Sequence, residues 1–290
     1  MGAFVSGAAS DTGLLRERNE DRYFSDPERG VFLVVDGVGG HPAGDLAAQT
    51  AVDIIRESEL SDDDSVREAI ARANNRIYEL AKERPELRGM ACVLTLAVVR
   101  DGEITIGHVG DSRLYLIWQG AIRKLTSDHS PVGEGEDAGE LSEAEAMQHP
   151  RRNEVFRDVG SRHREPADGD FIQVLKCRFR PDAAILLCSD GLTDHLTAAE
   201  VREVVDRYDG DAARVAVELV DAANQAGGKD NITALFVAGP EFLGGAYAAS
   251  ETTRPRSSTT RVRRPLGLWR VALLVCGVAI GMLVWMAVRR

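Results

Sequence analysis

Five short stretches of this chain place carboxylates where chemistry could be done. Glu20-Asp21 closes "RERNED", Asp36-Gly37 follows the apolar run "VFLVV", and Asp111 sits in "GHVGDSR". Asp190-Gly191 follows "AAILLCS", and Asp230-Asn231 leads into "ITALFVA". Each acid lies at the end of a strand-like run or beside one. Taken singly, each reads as a turn. Asp-Gly between apolar strands is a strong hairpin signal, and Gly110-Asp111-Ser112 is a fair hairpin by itself. Taken together, they admit a second reading. Ionised carboxylates held close raise one another's pKa, so a cluster of them calls for cations. Oxygen donors without thiols suit Mg²⁺ or Mn²⁺, and a glycine beside an aspartate lets a backbone carbonyl or a substrate approach. Spacing alone leaves both readings open.

The elements that must position these acids alternate between two periods. Residues 46–57 and 64–84 read as helices; in the second, Val66, Ile70, Ala73, Ile77 and Leu80 form one apolar stripe, and Pro85 stops it. Four β-rich runs follow at 92–99, 103–110, 113–118 and 121–125. Only short turns join them, so consecutive runs are expected to pair antiparallel. Residues 127–168 are polar and acidic, with a short helix opening at the Ser142/Glu145 capping box. Strands return at 171–179 and 183–188. Helices are expected after Thr197, boxed by Glu200, and from Asp211 to Ala226, ended by Gly227-Gly228; 232–238 is the last strand. Antiparallel sheets covered by helices make an α+β layered domain.

The stretches "RERNED", "VVDGVGGH", "GHVGDSR", "LLCSDGL" and "GGKDN" also carry a resemblance. In this order and at roughly this spacing they are similar to the metal-dependent serine/threonine protein phosphatases of the PPM (type 2C) family, bacterial type, over about residues 4–238. The resemblance implies a four-layer α-β-β-α sandwich, two antiparallel sheets flanked by helix pairs. It implies that Asp36 bridges two Mn²⁺ or Mg²⁺ ions, and that the Gly37 carbonyl, Asp190 and Asp230 complete their shells. Glu20 and Asp21 would lie near or just behind them, and Asp111 with Asp190 would hold a third ion. Arg16 matches the position that grips the substrate phosphate, which suits a guanidinium because it bonds two phosphate oxygens at once. The implied reaction is hydrolysis of phosphoserine and phosphothreonine on proteins, substrates of Ser/Thr kinases, by a metal-bridging water. No protein nucleophile is needed, and no cysteine here is followed six positions later by arginine. Two other functions remain to be separated from this one: a non-catalytic phosphoprotein-binding module of the same fold, and a hydrolase of small phosphoesters.

Several positions depart from the family's pattern. Val38 follows the first Asp-Gly where eukaryotic members place a histidine, and His41, three residues on, is not assigned as a general acid. Ala91-Cys92-Val93 replaces a Gly-Thr-Thr strand opening, and Arg157-Asp158-Val159-Gly160 replaces Arg-Ala-Leu-Gly. Residues 133–164 match the family's variable flap, whose acids either favour basic phosphopeptides or simply belong to a solvated loop. Asp168-Gly169-Asp170 lacks a preceding apolar strand and reads as a turn.

Charge separates the chain into a body and a tail. The net charge is −11 overall and +7 over residues 251–290, which leaves −18 on the first 250. So acidic a body argues against nucleic acid as a partner. Cys92, Cys177 and Cys188 stand in apolar or strand-like runs, as buried thiols of a reducing compartment do, and the N-terminus lacks a signal-peptide pattern. Residues 271–288 carry no charge, and as a helix would span about 27 Å, with Trp269 and Trp285 near the ends. The expected organisation is a phosphatase domain at 1–240, a disordered basic Ser/Thr/Pro/Arg linker at 241–266, and one C-terminal transmembrane helix at 267–290. Six arginines before the span and two after it place the body in the cytoplasm and the chain in the inner membrane as a single-pass protein. Gly277 and Gly281 offer a surface on which two spans could pack as a dimer.

Overall fold

The computed structural model describes residues 4–38 and 43–245. The chain opens with strands β1 (Val5–Asp11), β2 (Arg22–Asp26) and β3 (Val31–Val38), followed by helices α1 (Ala43–Glu57) and α2 (Asp63–Glu83). A single 3₁₀ turn, Pro85–Leu87, follows α2 where proline was expected to end it. Strands β4 (Ala91–Arg100), β5 (Glu103–Val109), β6 (Arg113–Trp118) and β7 (Ala121–Lys124) come next, then short helices α3 (Pro131–Asp137) and α4 (Glu143–Met147). The body ends with β8 (Gln173–Arg178), β9 (Ala184–Cys188), α5 (Asp190–Thr193), α6 (Ala198–Val205), α7 (Ala212–Gln225) and β10 (Ile232–Ala238).

Two five-stranded antiparallel sheets result, ordered β1-β10-β9-β6-β7 and β2-β3-β4-β5-β8. The sequence explains the layering through period-two alternation. In β3, Val31, Leu33 and Val35 pack under α1 and α2, while Phe32 and Val34 join the layer between the sheets. Being covered on both faces, the strand reads as a continuous apolar run. β10 does the same: Ile232, Ala234 and Phe236 meet α6 and α7, and Leu235 and Val237 face inward. The order helices, sheet, sheet, helices is the α+β sandwich.

Two sequence expectations are corrected. The runs 103–110 and 113–118 do not pair with each other: β5 pairs with β4 and β8, and β6 with β7 and β9. Gly110-Asp111-Ser112 is therefore no hairpin but a crossing between sheets. Gly110 makes it at φ 109°, and a Cβ there would lie 2.2 Å from the Val93 side chain. Nor is Asp36-Gly37 a turn. β3 continues through both residues, Asp36 opposite Val93 and Gly37 opposite Cys92. The acidic stretch 127–168 also holds α3, capped by Ser130, which its weak periodicity concealed. Among the described residues the cysteines are free thiols; Cys92 and Cys188 are buried and Cys177 partly so. Also among the described residues, no helix is long and apolar enough to cross a membrane. His41, the basic linker beyond 245, the span 271–288 and the Gly277/Gly281 pair lie outside the described residues.

Candidate active site

One end of the sandwich gathers the acids because of where strands begin and end. β3 delivers Asp36, the end of β9 delivers Asp190, the entry to β10 delivers Asp230, and the β5–β6 crossing delivers Asp111. Arg16, Glu20, Asp36, Gly37, Asp111, Asp190 and Asp230 line one cleft of about 180 Å³ together with Val38, Val93, Asn153, Val155 and Asn231. Alternation along β3 puts Asp36 on the inter-sheet side and turns Gly37 toward α1. There a side chain is impossible: a Cβ on Gly37 would lie 2.4 Å from the Gly44 carbonyl oxygen. Glu20 reaches over the same helix start, its Oε2 1.9 Å from where a Gly44 Cβ would stand.

Asp21 is not in the cleft wall but directly behind it. It is buried, and Ser189 Oγ donates to its Oδ2 at 2.7 Å. Ser189 Oγ in turn accepts the Thr233 N–H at 2.9 Å, so one hydroxyl ties β9, β10 and Asp21 together. Asn231, which the sequence reading passed over, is a second brace. Its Oδ1 accepts the Glu20 N–H at 2.8 Å, and its Nδ2 donates to the carbonyls of Thr12 and Arg18 at 2.9 Å each. Its place directly after Asp230 was the only signal. Behind Asp111, His129 grips the crossing: its backbone N–H donates to Gly110 O at 2.7 Å, and its ring Nδ1 accepts the Gly110 N–H at 3.0 Å.

Electrostatics mark the cluster. Burial, then Asp21, Asp190, Asp111 and Asp230, push the Asp36 carboxyl well above the usual range. Burial, then Asp111, Asp194 and Asp230, do the same to Asp190. Asp111 is pushed up to about 7 by burial and Asp128, and Asp21 to about 6 by burial against the pull of its hydroxyl partners. His108 and His129 go the other way, to about 4 and about 3, because burial disfavours their cations. Arg16 Nη2 donates to Asp230 Oδ2 at 2.7 Å. Burial works against the guanidinium's charge, but that bond and the nearby carboxylates outweigh it and raise its pKa.

These residues fit divalent cations. The cleft offers carboxylate oxygens and no thiol or imidazole, and Asp190 Oδ1 and Asp21 Oδ1 are buried without a hydrogen-bond partner. Buried carboxylate oxygens left alone are costly, and a hard cation satisfies them. Among the described residues no three acids, histidines or cysteines already close on a single point as a metal cage. Mg²⁺-type sites do not require one, since such ions keep several waters and take one or two carboxylates each.

The sequence pattern of the family described as Protein phosphatase 2C matches residues 16–233. This chain belongs to the protein phosphatase 2C family. The serine/threonine phosphatase stp of Listeria innocua is 32% identical over 240 residues, covering 79% of this chain and 93% of that protein. The crystal structure of the Mycobacterium tuberculosis serine/threonine phosphatase PstP/Ppp superposes with a TM-score of 0.73 at 28% identity, covering 82% of this chain and 99% of that one. A PstP catalytic domain in complex with two manganese ions gives a TM-score of 0.72 at 26% identity, covering 81% and 98%. The sandwich fold of the body, the phosphatase activity and the dependence on Mn²⁺ or Mg²⁺ expected from the sequence are thus borne out. The phosphatase brings all its expected acids to one end of the sandwich, with Asp21 set behind the rest.

Proposed function

We infer that this phosphatase hydrolyses phosphoserine and phosphothreonine on proteins, and that the oxygen-lined cleft is where it does so. The observation that carries the reading is the convergence of Asp36, Asp111, Asp190 and Asp230 on one cleft with Arg16 at its edge. Asp36 would lie between two ions, with the Gly37 carbonyl, Asp190 and Asp230 completing their shells and Glu20 and Asp21 behind; Asp111 and Asp190 would hold a third. Bound there, the ions supply Lewis-acid charge and a water acidic enough to attack phosphorus at neutral pH. The chain's own part is to hold the acids rigid and to orient the substrate. Ser189, Thr233 and Asn231 do the first. Arg16 does the second: its guanidinium binds two phosphoryl oxygens and stabilises the charge that builds on them. The presence of every expected acid also favours an enzyme over a binding module of the same fold.

The test is metal-dependent phosphate release from a phosphothreonine peptide by the purified chain. Arg16→Ala is expected to raise KM about ten- to a hundredfold, the range for losing a charge-assisted pair, and to change kcat less. It also frees Asp230 of its partner, so affinity for Mn²⁺ should hold or rise. Lost Mn²⁺ affinity with an unchanged KM would sink the assignment.

We propose that residues 267–290 anchor this body to the inner membrane, with the catalytic end in the cytoplasm and the stretch between residue 245 and the anchor as the linker. The support is the uncharged run 271–288 and the excess of arginines before it; Gly277 and Gly281 are where two such spans would pack. Packing within the body continues past 240: Phe242 is buried against Tyr208 and Phe236, and the Gly245 N–H donates to Asp206 O. The chain is expected to sediment with membranes through a high-salt wash, and a chain ended after 245 to stay soluble and active. Full-length protein in the soluble fraction would refute the anchor.

A further inference from the structure

The cleft of this phosphatase is not walled by acids alone. Val38, Val93 and Val155 share its lining with the carboxylates. Two of these are positions where the sequence departs from the family's usual pattern, and the register places them near each other: Val93 lies opposite Asp36, two residues before Val38 on the neighbouring strand. The same character continues from the cleft wall onto its rim. Among the described residues, eight large hydrophobic side chains are exposed, and four of them stand on segments that frame this one opening: Leu14 at 66%, Leu15 at 71%, Val38 at 39% and Phe156 at 44%. Single exposed apolar residues need no explanation, but a group of them around a functional cleft does.

Both sides of the opening are held in place by backbone bonds, so their side chains are not exposed through slack. The Leu14 N–H donates to Gly228 O at 2.6 Å, two residues before Asp230, just as Arg16, two residues after Leu14, reaches Asp230 itself. On the other side, the Phe156 N–H donates to His129 O at 2.9 Å, next to Val155 in the cleft wall. The Phe156 ring is 6.2 Å from the His129 ring, with Arg157 above it at 5.8 Å, and the remainder of the ring faces solvent.

We propose that these walls select phosphorylated segments with apolar side chains flanking the phosphoresidue. The proposal rests on the phosphatase reading above and names its substrate class. Continuity decides the occupant: a chain whose phosphoryl group reaches Arg16 and the acids must pass its neighbouring residues between Leu14-Leu15 and Val155-Phe156. Covering those side chains removes apolar surface from water, a gain made by the neighbours of the phosphoresidue rather than by the phosphate. The acidic flap would instead favour lysine-rich flanks, and the two recognition modes are separable.

The experiment compares three phosphothreonine peptides of equal length, flanked by leucine and valine, by serine, or by lysine. The leucine–valine peptide is expected to be the best substrate by about tenfold in kcat/KM, mainly through KM, which corresponds to about 1.4 kcal/mol. The triple variant Leu14→Ser/Leu15→Ser/Phe156→Ser should bring it level with the serine peptide. Val217→Ser, which removes an equally exposed side chain on α7, should leave the preference intact. Equal rates for the leucine–valine and serine peptides, a lysine preference, or a leucine preference surviving the triple variant would each overturn the proposal while leaving the phosphatase reading standing. Hydrolysis of none of the three peptides would overturn both.

Discussion

Asp36→Asn is expected to reduce phosphopeptide hydrolysis by more than a thousandfold, and Asp190→Asn to do the same, at saturating Mn²⁺. Each change removes an anionic ligand from a site whose function is to concentrate cationic charge, and such losses fall on the transition state directly. Retention of more than about a tenth of wild-type turnover by the Asp36 variant would show that the cleft has been assigned wrongly. The same variants have a second readout that needs no activity. Without metal, Asp36 and Asp190 are buried among like charges that hold their pKa values well up. A carboxyl whose folded pKa is raised binds its proton more tightly in the folded state, so its contribution to stability falls as pH rises from its unfolded pKa toward the folded one. His108 and His129, held down to about 4 and about 3, act in the opposite direction below their unfolded pKa. The readable quantity is therefore the difference between proteins. In chelator at pH 7.5, the Asn variants should melt higher than wild type, the gap should narrow toward pH 5, and added Mn²⁺ should stabilise only wild type strongly. A wild type that melts above both variants in chelator at pH 7.5 would contradict the electrostatic account.

Much of this was legible because burial writes itself into residue order. β3 reads as unbroken apolar sequence because both faces are covered, and the α2 stripe of Val66, Ile70, Ala73, Ile77 and Leu80 is buried as its spacing required. The three helix starts marked by Ser142, Thr197 and Asp211 are capped as their residue types dictate. What sequence order does not encode is which sheet a strand joins. Runs 103–110 and 113–118 have the pattern of a hairpin, but the second leaves for the other sheet at Gly110, which turns at positive φ against Val93 and is held by His129. Contacts between distant residues were equally hidden. Asn231 bracing Glu20 spans 211 positions, and Ser189 bonding Asp21 spans 168. Local composition carries no trace of either. The acids themselves stood out because a carboxylate at the end of a buried strand is costly, and the fold tolerates that cost only where several converge.

Arg113→Ala is expected to be among the most destabilising single changes in the body, although Arg113 touches no cleft acid. Its Nε and Nη2 donate to the two Asp128 oxygens at 2.6 to 3.1 Å, Nη2 also donates to Glu136 Oε2 at 2.6 Å, and Nη1 donates to Tyr115 Oη at 3.3 Å. Burial would lower the guanidinium's pKa, and Tyr115, Asp128 and Glu136 raise it instead. Lys124 adds an ion pair to Asp137 at 2.7 Å. Asp128 is 5% exposed at its side chain and Glu136 15%, so removing the arginine leaves a buried and a partly buried carboxylate with only Lys124, 3.8 and 3.7 Å away, as cationic partner among the described residues. Breaking such a pair from one side costs about 3–5 kcal/mol where the partner is left charged and unpaired, and Lys124 holds the loss toward the lower end of that range. For a body of this size that corresponds to a melting point lower by about 10 °C. The repair identifies the cause. Arg113→Met/Asp128→Asn removes one stranded charge and should recover part of the loss, which a purely steric defect would not. Structure predicts where the damage spreads. Glu136 lies on α3 and Arg113 opens β6 directly after the crossing that carries Asp111, so the base of the flap and the Asp111 loop lose the same anchor. Amide exchange should accelerate in 127–147 before it does in β3 or β10. A loss confined to a degree or two, or exchange that rises evenly across the body, would show that this network does not hold the flap to the sheet.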